Sequence, residues 1–236
     1  TAPITVEPGT YLAVRNGSAL SLAGAGTVTI EGQLSAENYD GDGGDVTVRG
    51  RTIDATRFGS ETAKIEIEAK DITVTGRIET HSVSRGLVSL TAKDEVAIHE
   101  SGYIDLNPYF ASGEAHIVAG GLVDVDGTIS ARGGLVDIEG SSVGIAGSII
   151  VATPAGSSSG DGGTVLVDAT GATGLASVSG TIDASSHLRN GGIVEITGHD
   201  ISMDGSVDGA GRQLGYSDGG TGGTVKLTAS KDVSVG

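Results

Sequence analysis

Several carboxylates of this chain have the spacing of cation ligands. Asp40, Asp42 and Asp45 lie in the loop Asp40-Gly41-Asp42-Gly43-Gly44-Asp45, on a glycine-rich backbone. Because Ca²⁺ takes several oxygen ligands from flexible loops, these three aspartates are the candidate metal ligands. An ordinary glycine-rich turn is the default interpretation of the same residues. Neither interpretation requires a cofactor, so Ca²⁺ is an optional ligand.

A second acidic pattern recurs after an isoleucine or valine near the end of a repeated segment. Its members are Asp54, Glu79, Asp105, Asp183 and Asp208, with Ser35 and Ser130 in equivalent places and a break at Ile150. If the segments stack in register, like charges approach to about 5 Å, which costs free energy unless it is compensated. One hypothesis is that turn amides donate hydrogen bonds to each carboxylate. The alternative is a ladder of Ca²⁺ ions.

Catalysis would need a denser cluster of side chains. A polysaccharide-cleaving site requires two or three carboxylates, or Ca²⁺ with a basic residue, on one face of the fold. The histidines occupy unrelated positions (His81, His99, His116, His187 and His199), and we expect no strand face to gather Arg or Lys beside Asp. The sequence therefore predicts no catalytic residue and no enzyme.

Aromatic residues are the candidate ligand-binding groups. Tyr103 precedes Asn107-Pro108-Tyr109-Phe110, and Tyr216 ends a second loop, in a chain with only 3% aromatic residues. Rings on protruding loops can stack on sugar faces or enter a partner interface. The alternative is a loop folded back over the fold. Tyr103, Tyr109, Phe110 and Tyr216 are therefore predicted to bind a ligand.

The elements that would position these residues are repeats. The segment GGTVLVDATGATGLASVSGTIDAS, at 162–185, recurs with substitutions about nine times. Its opening strand recurs at Leu20/Leu22, Val46/Val48, Ile65/Ile67, Val88/Leu90, Ile117, Val136/Ile138, Val194/Ile196 and Val225/Leu227. Apolar residues alternate with polar ones, which is typical of strands with one wet face.

Repeats of this kind predict an all-β fold, a right-handed parallel β-helix (a solenoid) of about nine coils. A unit of two or three short strands must stack on its neighbours to bury its apolar row, and parallel connections are overwhelmingly right-handed. We expect the shaft to cover 18–236, and 1–17, which lacks the Gly-Gly opening, to be a capping or docking coil. We also expect the glycines to adopt positive φ at sharp turns.

Composition excludes several classes of protein. There are 41 Gly but only 4 Pro without a strict triplet period, which excludes collagen, and the absence of Cys excludes thiol chemistry. A net charge of −16 makes nucleic acid and anionic membranes poor partners. No apolar run is long enough to span a membrane. Since the chain begins at Thr1 without Met, we expect a piece of a longer protein.

The repeat residues resemble those of a known family. Gly163-Thr164-Val165-Leu166-Val167, then Gly180-Thr181-Ile182-Asp183-Ala184, and a restart at Gly191-Gly192-Ile193-Val194, are similar to the filamentous haemagglutinin-type exoproteins of two-partner secretion. The resemblance implies a β-helical shaft on the outer surface of a Gram-negative cell, secreted through an outer-membrane transporter. The Asn-Pro-Asn-Leu type motif of that family's secretion domain is absent, so the resemblance implies shaft rather than export signal.

Three functions follow as expectations. The first is a non-catalytic secreted or cell-surface adhesin, or biofilm-matrix shaft, whose loops bind a host or matrix glycan or protein. The second is a self-assembling extracellular filament or surface-layer subunit that associates end to end, because uncovered strand edges are templates for the next copy. The third is a β-helical polysaccharide lyase or hydrolase.

Overall fold

The computed structural model describes fourteen ranges of the chain. They are 4–6, 11–15, 20–21, 28–30, 33–38, 46–47, 53–57, 62–74, 77–82, 85–106, 112–153, 160–187, 189–211 and 220–236. Side-chain surroundings are described from Gly86 onwards within these ranges and for a few earlier residues. The calcium candidates Asp40, Asp42 and Asp45 lie outside these ranges, and so do Tyr109, Phe110 and Tyr216.

The described residues form 23 strands and no helix. The first twelve are β1 (Ile4–Val6), β2 (Tyr11–Arg15), β3 (Leu20–Ser21), β4 (Val28–Ile30), β5 (Gln33–Asn38), β6 (Val46–Thr47), β7 (Ile53–Arg57), β8 (Thr62–Val74), β9 (Arg77–Ser82), β10 (Arg85–Ile98), β11 (Tyr103–Leu106) and β12 (Gly113–Ala119). The others are β13 (Leu122–Val125), β14 (Thr128–Ser130), β15 (Leu135–Gly140), β16 (Ser142–Ile145), β17 (Ser148–Ile150), β18 (Thr164–Ala169), β19 (Leu175–Val178), β20 (Thr181–Asp183), β21 (Ile193–Met203), β22 (Ser206–Asp208) and β23 (Thr224–Val235).

One strand of every repeat enters a nine-stranded sheet. Its order is β2-β5-β7-β9-β11-β14-β17-β20-β22, which follows the order of the chain. Each pairing in this sheet is parallel. The predicted all-β class with parallel strands is thus confirmed.

The opening strands of the repeats belong to a second, twelve-stranded sheet. Long strands such as β10 and β21 contribute to both halves of this sheet, since each pairs with two shorter strands of one neighbouring repeat. Apolar positions predicted for the opening strand share one register column, which Ala115 completes: Leu20, Val46, Ile65, Val88, Ala115, Val136, Val165, Val194 and Val225. The predicted Ile117 lies in the next inward column, beside Leu90 and Ile138. The repeat therefore predicted the strand register correctly.

Side chains at these columns form the core. In β12 the residues are alternately buried and more exposed, as expected for a strand with one wet face. The nine-stranded sheet contributes a column of fully buried isoleucines, Ile78, Ile104, Ile129, Ile149 and Ile182. Because burying each such side chain stabilises the fold by about 1.5–3 kcal/mol, continuous aliphatic columns suffice without aromatic residues.

Glycines form columns of their own at the corners between strands. Gly127, Gly147, Gly180 and Gly205 lie one above the other, and a Cβ on Gly147, Gly180 or Gly205 would overlap the carbonyl oxygen of the glycine before it in this column. The predicted positive φ was wrong for the described glycines, of which only Gly133 has it, at 62°. Glycine is required at this corner because the neighbouring backbone lies too close for a side chain.

The predicted N-terminal capping or docking segment, 1–17, contains β1 and β2. β1 pairs with β4, and β2 is the terminal strand of the nine-stranded sheet. Nothing in these pairings tests a capping or docking role, which stays a prediction.

The glycine column predicts a large difference between two Gly→Ala substitutions. We expect Gly180→Ala to lower the free energy of unfolding by about 2–4 kcal/mol, because the new methyl group collides with the Gly147 backbone. Gly222→Ala is the matched control, since nothing lies within 4 Å of its Cβ position, and we expect a change within about 0.5 kcal/mol. Urea unfolding followed by circular dichroism measures both, and equal losses would contradict the close approach.

Candidate binding groove

The acidic positions of the closing segment form one column on the nine-stranded sheet. Asp54, Glu79, Asp105, Ser130, Ile150, Asp183 and Asp208 are successive register partners. The predicted in-register stacking of this position is therefore confirmed, including its break at Ile150. In the C-terminal part the column places two carboxylates, Asp183 and Asp208, on neighbouring strands.

Turn amides compensate the charge of these two aspartates. The Ser185 amide donates to Asp183 Oδ1 at 3.0 Å, and the Ala210 amide donates to Asp208 Oδ1 at 2.8 Å. This supports the hydrogen-bonding hypothesis at both positions. Within the described ranges no three or more His, Cys, Asp or Glu side chains are grouped so that they could hold a metal ion. The calcium ladder and the calcium loop at Asp40, Asp42 and Asp45 stay predictions.

A groove of about 390 Å³ lies against the C-terminal half of this column. Its lining residues come from four successive repeats: Arg132, then Ile150, Ala152 and Thr153, then Asp183, Ser185 and His187, and finally Asp208. Asp183 and Asp208 end β20 and β22, and Ile150 ends β17. The groove is therefore built from strand ends and from the residues just beyond them.

Backbone hydrogen bonds continue past the strand ends and keep these residues aligned. The Ala131 amide donates to Ile150 O at 2.9 Å, and the Thr153 amide donates to Ser185 O at 3.0 Å. Ala152 and Ser185 consequently form a second outward column beside the acidic one, and Arg132 precedes them at a turn where the Gly133 amide donates to Val151 O. The groove is thus two side-chain columns wide and has hydrogen-bonded backbone beneath it.

Buried hydroxyls anchor one side of the groove. Thr153 Oγ1 donates to Asp161 O at 2.6 Å. Ser186, which is fully buried, donates through Oγ to Gly160 O at 2.8 Å and accepts from the Arg189 amide at 3.1 Å. Since an unmade hydrogen bond in such a place is costly, these contacts fix the edge of the groove.

The groove gathers opposite charges beside an apolar patch. Arg132 lines the same groove as Asp183 and Asp208, but it lies in the turn after β14 and not on a strand face. The expectation that no strand face gathers a basic residue beside aspartate was wrong elsewhere, since Lys231 Nζ on β23 lies 3.6 Å from Asp200 Oδ1 on β21. Ile150 occupies the acidic column between Ser130 and Asp183, and its side chain is partly exposed. The arrangement combines a donor, two acceptors and an apolar surface.

Sequence reasoning missed Arg132 and His187 as groove residues. Arg132 comes two positions after Ser130, a member of the acidic column, and His187 comes four positions after Asp183. Aligning the repeats to the end of each loop would have revealed the second column.

The ligand-binding residues predicted from sequence lie elsewhere or outside the described residues. Tyr103 begins β11, is partly exposed, and pairs in register with Arg77 and Thr128. It is not among the groove-lining residues. Tyr109, Phe110 and Tyr216 lie outside the described residues, so their role stays a prediction.

Two other histidines interact with polar neighbours. His116 lies in β12, with Nδ1 3.3 Å from Asp137 Oδ2 and Nε2 3.7 Å from Glu114 Oε2. His199 Nδ1 lies 2.8 Å from Ser230 Oγ. Both belong to the twelve-stranded sheet or its edge, away from the groove.

Comparison with known proteins identifies no relative. No protein-family model, no curated protein and no solved structure matches this chain. In the part of the chain that the structure describes, no helix is both long and apolar enough to cross a membrane.

The anchoring of the groove edge predicts the effect of Ser186→Ala. This substitution leaves the Gly160 carbonyl and the Arg189 amide without the Ser186 hydroxyl, and we expect a loss of about 1–3 kcal/mol in the free energy of unfolding. Ser179→Ala, at an exposed corner, is the control and should change it by less than about 0.5 kcal/mol. Chemical denaturation of both variants measures the difference, and an unchanged Ser186→Ala variant would contradict the anchoring role.

Asp124, on β13, predicts a pH dependence of stability. Burial raises the pKa of this carboxyl, the charge of Asp126 raises it further, and His99 acts in the opposite direction. The folded state therefore holds the proton more tightly than the unfolded state. The contribution of Asp124 to stability falls as pH rises from the ordinary carboxyl pKa through the raised one.

We accordingly expect Asp124→Asn to melt at the same temperature as the parent at pH 2.5 and at a higher temperature at pH 7. Differential scanning calorimetry across this interval makes the comparison, with Asp168→Asn as the control at an exposed position. Parallel pH profiles for the parent and Asp124→Asn would contradict the assignment.

Proposed function

We propose that the chain is a right-handed parallel β-helix that serves as a non-catalytic shaft of a secreted or cell-surface adhesin or biofilm matrix. The observation that carries the proposal is the nine-stranded parallel sheet, in which each repeat adds one strand in chain order. A right-handed path is the overwhelming preference of parallel connections. Nine strands at about 4.8 Å span roughly 40 Å, a length suited to a spacer.

The surface chemistry supports an extracellular shaft. A net charge of −16 favours solubility and separates neighbouring rods, and the chain has no cysteine to be oxidised. The resemblance to filamentous haemagglutinin-type exoproteins adds an outer-membrane transporter and a Gram-negative surface to the proposal. Its partner would be a host or matrix glycan or protein.

The shaft proposal predicts a monomeric elongated particle without enzymatic activity. Size-exclusion chromatography with light scattering should give the monomer mass at every concentration, and small-angle X-ray scattering should give a rod with a constant cross-section. Incubation with neutral and acidic polysaccharides should release no reducing ends or unsaturated products. Release of such products that is lost in Asp183→Asn with Asp208→Asn would replace the proposal with a lyase or hydrolase.

A filament subunit is the second candidate, and β23 favours it. Within the described chain β23 pairs only with β21, and its Val225, Val233 and Val235 are 48%, 48% and 69% exposed. An uncovered strand with apolar side chains is a template for a further strand, which a second copy or a further repeat of a longer chain could supply.

The filament candidate predicts concentration-dependent fibres. Light scattering and negative-stain imaging at rising protein concentration, in calcium and in chelator, test it. Val233→Lys should abolish the fibres if β23 forms the junction, whereas Asp168→Asn should leave them unchanged. A monomer at every concentration excludes the filament.

A further inference from the structure

We propose that the groove lined by Arg132, Ile150, Ala152, Asp183, Ser185 and Asp208 binds an uncharged oligosaccharide, lying along the direction in which the repeats stack. The proposal concerns a site that is separate from the aromatic loop residues. It does not depend on whether the molecule is an adhesin shaft or a filament subunit.

The dimensions of the groove fit such a ligand. A volume of about 390 Å³ lies within the range of sites that hold small ligands. The lining residues come from four successive repeats, so the groove extends for three strand spacings, or about 15 Å. A pyranose unit advances an extended oligosaccharide by a distance comparable to one strand spacing. Successive sugars would therefore meet equivalent positions on successive repeats.

The polar groups match the hydroxyls of a sugar. An ionised carboxylate offers about four acceptor sites, and the Ser185 amide donates to one oxygen of Asp183. Turn amides fix the orientation of both Asp183 and Asp208 before a ligand arrives. Arg132 contributes a guanidinium with several N–H donors. Neighbouring hydroxyls, which both donate and accept, can therefore pair with both kinds of group.

The apolar part of the lining matches the C–H face of a sugar ring. Ile150 replaces a polar residue in the acidic column, and Ala152 lies beside it in the second column. Both side chains are partly exposed at the groove. A ring placed there covers Ile150 while its edge hydroxyls reach the charged groups on either side.

The charge of the groove selects against acidic sugars. Two carboxylates face one guanidinium, and the whole chain carries a net charge of −16. A uronate or sulfate group would enter a negative potential and would lose affinity. An uncharged chain avoids this cost and keeps every hydrogen bond described above.

Isothermal titration calorimetry with defined hexasaccharides tests the proposal. The probes are cellohexaose, maltohexaose and xylohexaose as uncharged chains and hexagalacturonate as the acidic chain. We expect at least one uncharged hexamer to bind, and to bind more tightly than the acidic one. Absence of binding by all three uncharged hexamers, or tighter binding of hexagalacturonate, would overturn the ligand class.

Three variants locate the binding. Asp183→Asn should weaken the uncharged hexamer about tenfold or more, because it removes a charged acceptor. Ile150→Asp should weaken it similarly while preserving the fold, since both register partners of this position are polar, Ser130 in the preceding repeat and Asp183 in the next. Asp168→Asn, an exposed carboxylate on the other sheet, should bind as the parent does.

Thermal unfolding of each variant separates lost binding from lost structure. A folded Ile150→Asp variant that binds with unchanged affinity would place the ligand elsewhere and overturn the proposal. Equal weakening in Asp168→Asn would mean that overall charge, not the groove, governs binding, and would also overturn it.

Discussion

The structure depends on the direct superposition of one repeat's backbone on the next. At the corner before the nine-stranded sheet the chain passes so close to its neighbour that Gly147, Gly180 and Gly205 leave no space for a Cβ. This contact fixes where each repeat turns. Once the corners coincide, the isoleucines of the adjoining strands must also coincide, so the buried columns and the glycine column support each other.

The same constraint builds the groove. Residues distant in sequence become neighbours because each occupies the same place in its own repeat, as Asp183 and Asp208 do on β20 and β22. A single residue that differs from the repeat pattern then changes the surface at one place only. Ile150 interrupts the acidic column and supplies an apolar floor, and Arg132 adds a cation from the turn after β14. The proposed binding site therefore lies where the repeat is broken.

Much of the fold could be predicted from the sequence because each apolar position repeats. Val88, Val136, Val194 and their equivalents were placed in one strand position by spacing alone, and the register agrees. Why glycine occupies the corners could not be predicted, because a close approach between backbones and a positive φ both select glycine in the sequence. The groove was missed because loops of unequal length separate β17 from β18 and β20 from β21. Arg132, Ala152 and Ser185 each stand two positions after an aligned closing residue, but His187 joins them only once the strands are paired.

Distances between paired spin labels, measured by pulsed electron–electron double resonance, test the in-register stacking most directly. Thr91, Val118, Glu139, Asp168, Thr197 and Thr228 are successive register partners, and the chain has no cysteine that would compete for the label. Labels on Val118→Cys with Thr228→Cys should lie about 19 Å apart, four strand spacings. Labels on Thr91→Cys with Thr228→Cys should lie about 24 Å apart, five spacings. Distances that fail to grow by one spacing per repeat would contradict the superposition of successive repeats.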